Sequence, residues 1–309
     1  MKIVHRRIVG ILVLGVAAVP TTAKAWNALG HKVIADIAWQ QLEPSERKRI
    51  VDDLRRHPRF GEDFAQRVTA DVTDDGRWIF QHAATWPDIA RNIRGDDRKW
   101  DRATWHYVNL PLFLNGKREL TVNTSMEYPS VLEYNVGQAT KHCLAVLRES
   151  QSGPERALAY CWLLHLVGDM HQPMHSTALF CDYFPKGDRG GNEIPLARGR
   201  NLHSLWDNLL GRQSRMRDVQ REITELQRNR ELWNVDTKPD IKGWIGESHE
   251  LAKSVAYDPT ILQAVRETRP GTELRPILLP ESYMQEAGRV ARQRIVAAGL
   301  RLGALLQKN

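Results

Sequence analysis

The chain has 309 residues, with 44 lysines and arginines against 37 acids and a formal net charge of +7. Lys2, Arg6, Arg7 and Lys24 lie in the first 25 positions and no acid does, so the remainder carries only +3. That balance does not by itself argue for a nucleic-acid partner, and the absence of an 18-residue apolar run after position 25 excludes a membrane-spanning helix there.

Taken in chain order, residues 1–25 read as a secretory leader. Lys2, His5, Arg6 and Arg7 form a basic start, residues 8–19 an apolar stretch too short to span a bilayer comfortably, and Ala23-Lys24-Ala25 a small-x-small cleavage site. Cleavage after Ala25 sends the product to the periplasm or outside the cell and makes Trp26 the first residue. A free α-amine and the carbonyl of the same residue form a five-membered chelate, and an amine pKa near ~8 lets a metal displace its proton. The plainer reading of Trp26 is an indole that anchors the terminus in the core.

The remaining 284 residues (309 less 25) suffice for one large core or two small ones, and no Pro/Gly/Ser linker or internal repeat divides them. Residues 26–309 are therefore expected to form one domain. Helical patterning covers residues 30–42, 44–56, 77–89, 129–149, 155–171, 205–210, 219–228, 242–256 and 281–306. Alternation of period two is confined to residues 105–110. The expectation is an all-α, single-domain multi-helix bundle, with Leu144, Leu147, Leu158, Trp162 and Leu166 in its core and the functional cleft at one end. The basic run Arg91, Arg94, Arg98, Lys99 and Arg102 has Asp96, Asp97 and Asp101 among it and reads as a solvated loop, Arg91 excepted. Cys143, Cys161 and Cys181 allow one disulfide in an oxidising compartment, with Cys143 and Cys161 on consecutive helical segments; the alternative is that all three are buried small hydrophobes.

The most informative stretch is His165-Leu-Val-Gly-Asp169-Met-His171-Gln-Pro-Met-His175. His165 and Asp169 are four residues apart on a helix and so share a face, which supplies half of a tetrahedral zinc site. Pro173 has no N–H for the helical ladder, so the helix ends and His175 approaches from another direction. A second His-x-x-x-Asp pair, His203 and Asp207, opens a later helical stretch. One such pair is ordinarily a modest salt bridge; two pairs with a proline-positioned third imidazole favour a metal centre. His171 lies off the 165/169 face and reads as a support or surface residue, and His57, His82 and His249 as structural.

With these motifs the chain resembles the zinc-dependent single-strand nucleases of the fungal S1/P1 type and their plant and bacterial relatives, from Trp26-Asn-Ala-Leu-Gly-His31 to about Leu302. The resemblance implies three zinc ions held by nine residues in the same order. Trp26 (amine and carbonyl) and His31 match the ligands of one zinc, and Asp88, His106 and His165 those of a second. Asp169 matches the carboxylate bridging these two, and His175, His203 and Asp207 match the set holding the third. It also implies the fold shared by these nucleases and zinc phospholipase C, and attack on phosphorus by a zinc-bridging hydroxide. Asp88 would orient the nucleophile and Arg91 neutralise the charge that grows on the phosphoryl oxygens. Single-stranded DNA, RNA and 3′-nucleotides are the implied substrates, with 5′-phosphorylated products; no stable protein partner is inferred and a monomer is expected.

One departure concerns the base site. Fungal members carry an aromatic residue and then an aspartate after the counterpart of His106; here these positions are Tyr107 and Asn109. Tyr107 retains stacking capacity, whereas the amide of Asn109 adds a donor and leaves base preference open. Residues 182–200, a long loop between His175 and His203, are expected to wall the cleft. Two rivals stand beside this reading. A zinc phospholipase C would carry a glutamate at position 207 and lacks the Asp-x-x-Arg of Asp88 and Arg91; an exported zinc-storage protein has no need of Arg91.

Overall fold

The computed structural model describes residues 26–70, 72–114, 133–199 and 201–307. Among these, α-helices carry the architecture, as the patterning anticipates; the 1–25 leader and residues 129–132 of the expected 129–149 helix lie outside the described residues.

Helix α1 (Ala28–Gln41) starts at Asn27, whose side chain accepts the N–H groups of Leu29 and Gly30. A polar cap of this kind satisfies donors that the first helical turn leaves unpaired. Helix α2 (Pro44–Leu54) follows after two residues, then the single turn α3 (Phe60–Asp63). The expected 77–89 helix is instead two, α4 (Asp75–Ala83) and α5 (Trp86–Ala90). Pro87 explains the break: without an N–H it cannot continue the ladder from α4. The Ala84 carbonyl lies at this break and becomes important below.

Helix α6 (Val136–Glu149) begins with a reciprocal capping box between Asn135 and Gln138. Helix α7 (Gly153–Met170) is capped by Ser152 and buried on all sides from Ala159 to Met170. An α-helix apolar all round belongs at the centre of a fold, and α7 passes through the main core. The expected strand at 105–110 is a correction. Residues Ala103–His106 form a 3-10 turn, and the strand β1 is Pro111–Phe113, paired in parallel with β2 (Ala178–Phe180) so that Leu112 faces Leu179. Trp105 and His106 are consecutive and both buried, which breaks the alternation within 105–110.

Helix α8 (Leu202–Asp207) starts three residues before the expected 205–210 segment, because Asn201 caps it through Ser204. The rest is α9 (Met216–Gln227), α10 (Ile241–Leu251) with a π-turn at Ala252–Ala256, α11 (Pro259–Glu267) and the long α12 (Glu281–Leu306). Two hydrophobic clusters form. The larger contains Trp26, Trp86, Trp162 and Leu302; the smaller contains Leu112, Met174, Trp206 and Tyr257, and α12 contributes to both. Close approach of α1 to α12 depends on Gly299, where a Cβ would lie 2.6 Å from the Ile37 Cβ. Cys143 and Cys161 are buried free thiols, which fits the small-hydrophobe reading, and Cys181 is a partly exposed one. Burial pushes the Cys143 and Cys161 thiols up, which suits packing rather than reactivity. No described helix is long and apolar enough to cross a membrane.

Candidate metal centre

The residues singled out by spacing and by the resemblance converge from six elements. His31 comes from α1, Asp88 from α5, His106 from the 103–106 turn, and His165 and Asp169 from α7. His175 comes from the 3-10 turn Pro173–His175, set by Pro173, and His203 and Asp207 from α8. Their donor atoms fall into three groups: His31, Asp88 and His165; His106, His165 and Asp169; His175, His203 and Asp207. The first two share His165, so they adjoin, whereas the third stands apart.

Hydrogen bonds on the outer ring nitrogens determine what the inner ones offer. His165 Nδ1 faces the Ala84 carbonyl at 2.8 Å, His175 Nδ1 the His106 carbonyl at 2.6 Å, and His203 Nδ1 the Gly190 carbonyl at 2.7 Å. A carbonyl only accepts, so in each neutral ring the proton sits on Nδ1 and Nε2 presents a lone pair. Yet His203 Nε2 lies 3.0 Å from His175 Nε2, and both are lone pairs. Two acceptors at that distance repel unless a cation lies between them. Around His165 Nε2 the same crowding recurs, with His106 Nδ1 at 3.0 Å and Asp169 Oδ2 at 3.2 Å.

Ligands about 2.0–2.1 Å from a tetrahedral zinc are separated from each other by roughly 3.4 Å. The observed spacings, 3.0 to 3.4 Å for His106–Asp169 and His31–Asp169, are close to that. Asp169 directs Oδ1 toward His31 and Oδ2 toward His106 and His165, the arrangement a bridging carboxylate needs. Both nitrogens of His31, Oδ1 of Asp169 and Oδ1 of Asp88 are buried without a hydrogen-bond partner. Leaving such groups unpaired costs about 1–3 kcal/mol each, more if charged, and a divalent cation removes that cost. The donor set therefore fits zinc, with nitrogen and oxygen ligands and the outer nitrogens oriented by backbone carbonyls.

The electrostatics agree. Burial holds His31, His106 and His175 well below the usual imidazole range, so they are neutral. Burial also pulls His165 down, but the Asp169 carboxylate beside it outweighs burial and raises it. Burial drives Asp169 up to about 6 and Asp207 well above its ordinary value. Buried carboxyls in this state gain most from a neighbouring cation.

Trp26 is buried, and its indole donates to the Gly168 carbonyl, one residue before Asp169, at 3.0 Å. The next N–H, that of Asn27, donates to the Asp207 carbonyl at 3.1 Å. Thus the backbone at 26–27 is held between α7 and α8. The anchoring role of the indole and a ligand role for the terminus are compatible. Arg91, only 9% exposed, has Nε 3.3 Å from His106 Nε2 and 3.5 Å from Asp88 Oδ1.

Two cavities meet at this centre. One of about 220 Å³ is lined by Arg91, Tyr107, Asn109, His175, Arg189 and Asn192. Tyr107 is exposed there, with its ring available to a ligand. The other, about 750 Å³, opens beyond Asp88, His203 and Asp207. The expected wall at 182–200 is a tight loop built around buried Asp188, which accepts the N–H groups of Leu179, Gly190 and Gly191 and the Tyr257 hydroxyl. Arg189 within it has φ +57, a left-handed conformation unusual for a residue with a side chain, and reaches the smaller cavity.

Sequence reasoning missed Arg189, and it missed Gln172, whose amide donates to Asp207 Oδ1 at 2.8 Å. Gln172 lies inside the recognised motif, so proximity to His171 and Pro173 was the available signal; for Arg189 there was none. His171 is not a surface residue: it is fully buried, with Nδ1 on the Val167 carbonyl and Nε2 beside Arg301 at 2.9 Å. His57, His82 and His249 are buried structural residues as expected. Arg91 apart, the basic run at 94–102 lies on the surface among its acids, Asp97 being paired with Arg59.

Comparisons with known proteins point the same way. A family model described as S1/P1 Nuclease matches residues 26–309. Endonuclease 4 of Arabidopsis thaliana is 29% identical over 165 residues, 48% of this chain and 50% of that protein. Nuclease S1 of Aspergillus oryzae is 23% identical over 193 residues, covering 59% and 53%. The chain thus spans about half the length of these two relatives, whereas the match to Endonuclease 1 of Arabidopsis thaliana, 23% identical, covers 96% of this chain and 92% of that protein.

Proposed function

Because the chain belongs to the S1/P1 nuclease family, we propose that it is an exported zinc-dependent phosphodiesterase. Its substrates are single-stranded DNA and RNA, cut to 5′-phosphorylated products, and 3′-nucleotides, which lose their phosphate. The leader at residues 1–25 provides export, residues 26–309 form the nuclease domain, and the chain acts as a monomer. The observation that carries the reading is the pair of facing lone pairs at His175 and His203, with His31, His106 and His165 crowded around Asp169 beside them and Arg91 at the edge.

Trp26, His31, Asp88, His106, His165, Asp169, His175, His203 and Asp207 hold three zinc ions. Bound zinc supplies Lewis acidity toward a phosphoryl oxygen and lowers the pKa of water toward neutrality. The remaining work belongs to the chain. Ala84, His106 and Gly190 carbonyls fix the tautomers of His165, His175 and His203, so no proton has to leave these nitrogens when metal binds. Asp88 accepts a hydrogen bond from the attacking water and aims its oxygen at phosphorus. Arg91 donates to the phosphoryl oxygens as negative charge accumulates; a planar guanidinium presents paired donors that an ammonium does not. Tyr107 stacks on the base 5′ of the scissile phosphate, and Asn109 hydrogen-bonds its edge.

The test is a parallel assay of zinc-loaded chain on single-stranded DNA, RNA, a 3′-mononucleotide and a choline phospholipid. Hydrolysis of the first three is expected. Cleavage of the lipid alone favours a phospholipase, and cleavage of no phosphoester favours a storage protein.

A further inference from the structure

The larger cavity is not needed to bind a 3′-mononucleotide, whose base the smaller cavity accommodates and whose phosphate sits at the metal centre. It nonetheless begins at Asp88, His203 and Asp207 and extends about 750 Å³ away from them. His203 and Asn192 line both cavities, so the two are continuous across the centre. The far wall carries Lys32, Arg67 and Arg212, three cations from three unconnected segments. Among the described residues, the acids lining this cavity are Asp88 and Asp207, both of the candidate metal centre.

Each cation is held by a different device. Lys32 follows His31 on α1, and its ammonium donates to the Ser214 carbonyl at 2.9 Å, which draws the 208–214 turn against α1. Arg212 is exposed on that turn after Gly211 (φ +106), whose carbonyl accepts from the Asn27 amide. Arg67 ends the Ala65–Arg67 turn, half-exposed, 3.9 Å from Asp63, a carboxylate already paired with Arg59 at 2.8 Å. Asn27, Asn92 and Asn208 add neutral amides along the floor. A trough of spaced cations and amides, with no Phe, Tyr or Trp among its described lining residues, suits a phosphate backbone rather than a second base site.

We infer that this trough is a strand-binding groove: Lys32, Arg67 and Arg212 engage phosphates of the polynucleotide 3′ of the bond being cut. The polarity rests on the proposed function, in which the base 5′ of the scissile phosphate occupies the Tyr107 cavity. The strand on the other side of that phosphate must then leave across Asp88 and Asp207, into the trough. The groove explains how a chain of nearly balanced charge holds a polyanion: three of its cations are gathered beside the cut.

The experiment compares wild type with the double variant Arg67→Gln/Arg212→Gln, both at exposed positions, on 3′-AMP, the dinucleotide dTpdT and a 12-nucleotide oligodeoxythymidylate at several salt concentrations. Wild-type kcat/KM is expected to rise with length, and the variant to lose at least about tenfold on the 12-mer while the 3′-AMP rate stays within twofold. Losing two phosphate contacts on a single strand should also flatten the log–log salt dependence on the 12-mer by about 1.4, at ~0.7 per contact. A variant active on 3′-AMP that keeps the wild-type length gain and salt slope overturns the groove and leaves the nuclease reading standing. Equal losses on all three substrates also overturn it, since the residues would then act on the centre itself. A wild-type chain that hydrolyses none of the three overturns the underlying nuclease reading.

Discussion

Replacing Gly168 by alanine should destabilise the protein and dislodge one metal, although the same change in an ordinary helix stabilises. Gly168 lies inside α7, where alanine is favoured over glycine by about 1 kcal/mol. A Cβ there would lie 2.9 Å from His31 Nδ1, 3.1 Å from its Cε1 and 3.2 Å from Ile34 Cδ1. Normal contacts are about 3.5–4.0 Å, so the imidazole has to move by roughly half an ångström or more. It cannot retreat easily, because its other face stacks on the His165 ring at 3.9 Å. Overpacking of this kind costs about 1–3 kcal/mol, which cancels or exceeds the gain in helix propensity. Gly246→Ala is the internal control: it sits in α10 with no atom within 4 Å of the added methyl, so it should stabilise by up to about 1 kcal/mol. Thermal unfolding of both variants, with zinc quantified per chain, reads the difference. The expected result is a lower Tm and about one zinc fewer for Gly168→Ala. An equal rise in Tm for both variants, with full metal content, would refute the reasoning that Gly168 sets the position of His31.

Acid should weaken the fold through histidines that are not part of the candidate metal centre. Burial lowers His57 to about 3 and His82 to about 4, so both are neutral when folded, while the unfolded chain protonates them near pH 6.5. Their contribution is complete above pH 6.5 and is lost as pH falls below it, at about 1.4 kcal/mol per pH unit for each group. Urea unfolding of wild type and His57→Phe at pH 7 and pH 5 should show a smaller acid loss in the variant, by roughly 2 kcal/mol; identical losses would remove His57 from the account. Arg91→Lys should keep all the zinc yet lose about 10²–10³ in kcat on a 3′-nucleotide, and a loss below tenfold would deny Arg91 its charge-stabilising role. Asn109→Asp should alter the relative rates on four homopolymers, whereas unchanged profiles would take Asn109 out of the base site.

Five residues of the centre were legible from local arithmetic, whereas His31, Asp88 and His106 stood out only through the family resemblance. His165 with Asp169 and His203 with Asp207 are each one helical turn apart, and Pro173 announces the turn that delivers His175. Pro87 was equally visible, and the break between α4 and α5 follows from it, but apolar periodicity across 77–89 masked the break. Backbone partners leave no trace in residue identity. The carbonyls of Ala84 and Gly190 orient the rings of His165 and His203, and only tertiary structure brings them there, across 81 and 13 residues. Arg189 and the trio Lys32, Arg67 and Arg212 were illegible for the same reason: each is an ordinary surface residue until the chain has folded. The strand at 111–113 was misplaced because the alternation expected at 105–110 is broken by the burial of consecutive Trp105 and His106.

The most direct measurement compares chain processed to begin at Trp26 with chain bearing one additional residue before it, by elemental analysis and by hydrolysis of single-stranded DNA. Three zinc ions per processed chain are expected, with the extension removing about one of them together with most of the activity, since the displaced amine can no longer chelate. A processed chain that binds at most one zinc tightly and leaves the polynucleotide intact would contradict the account at its root.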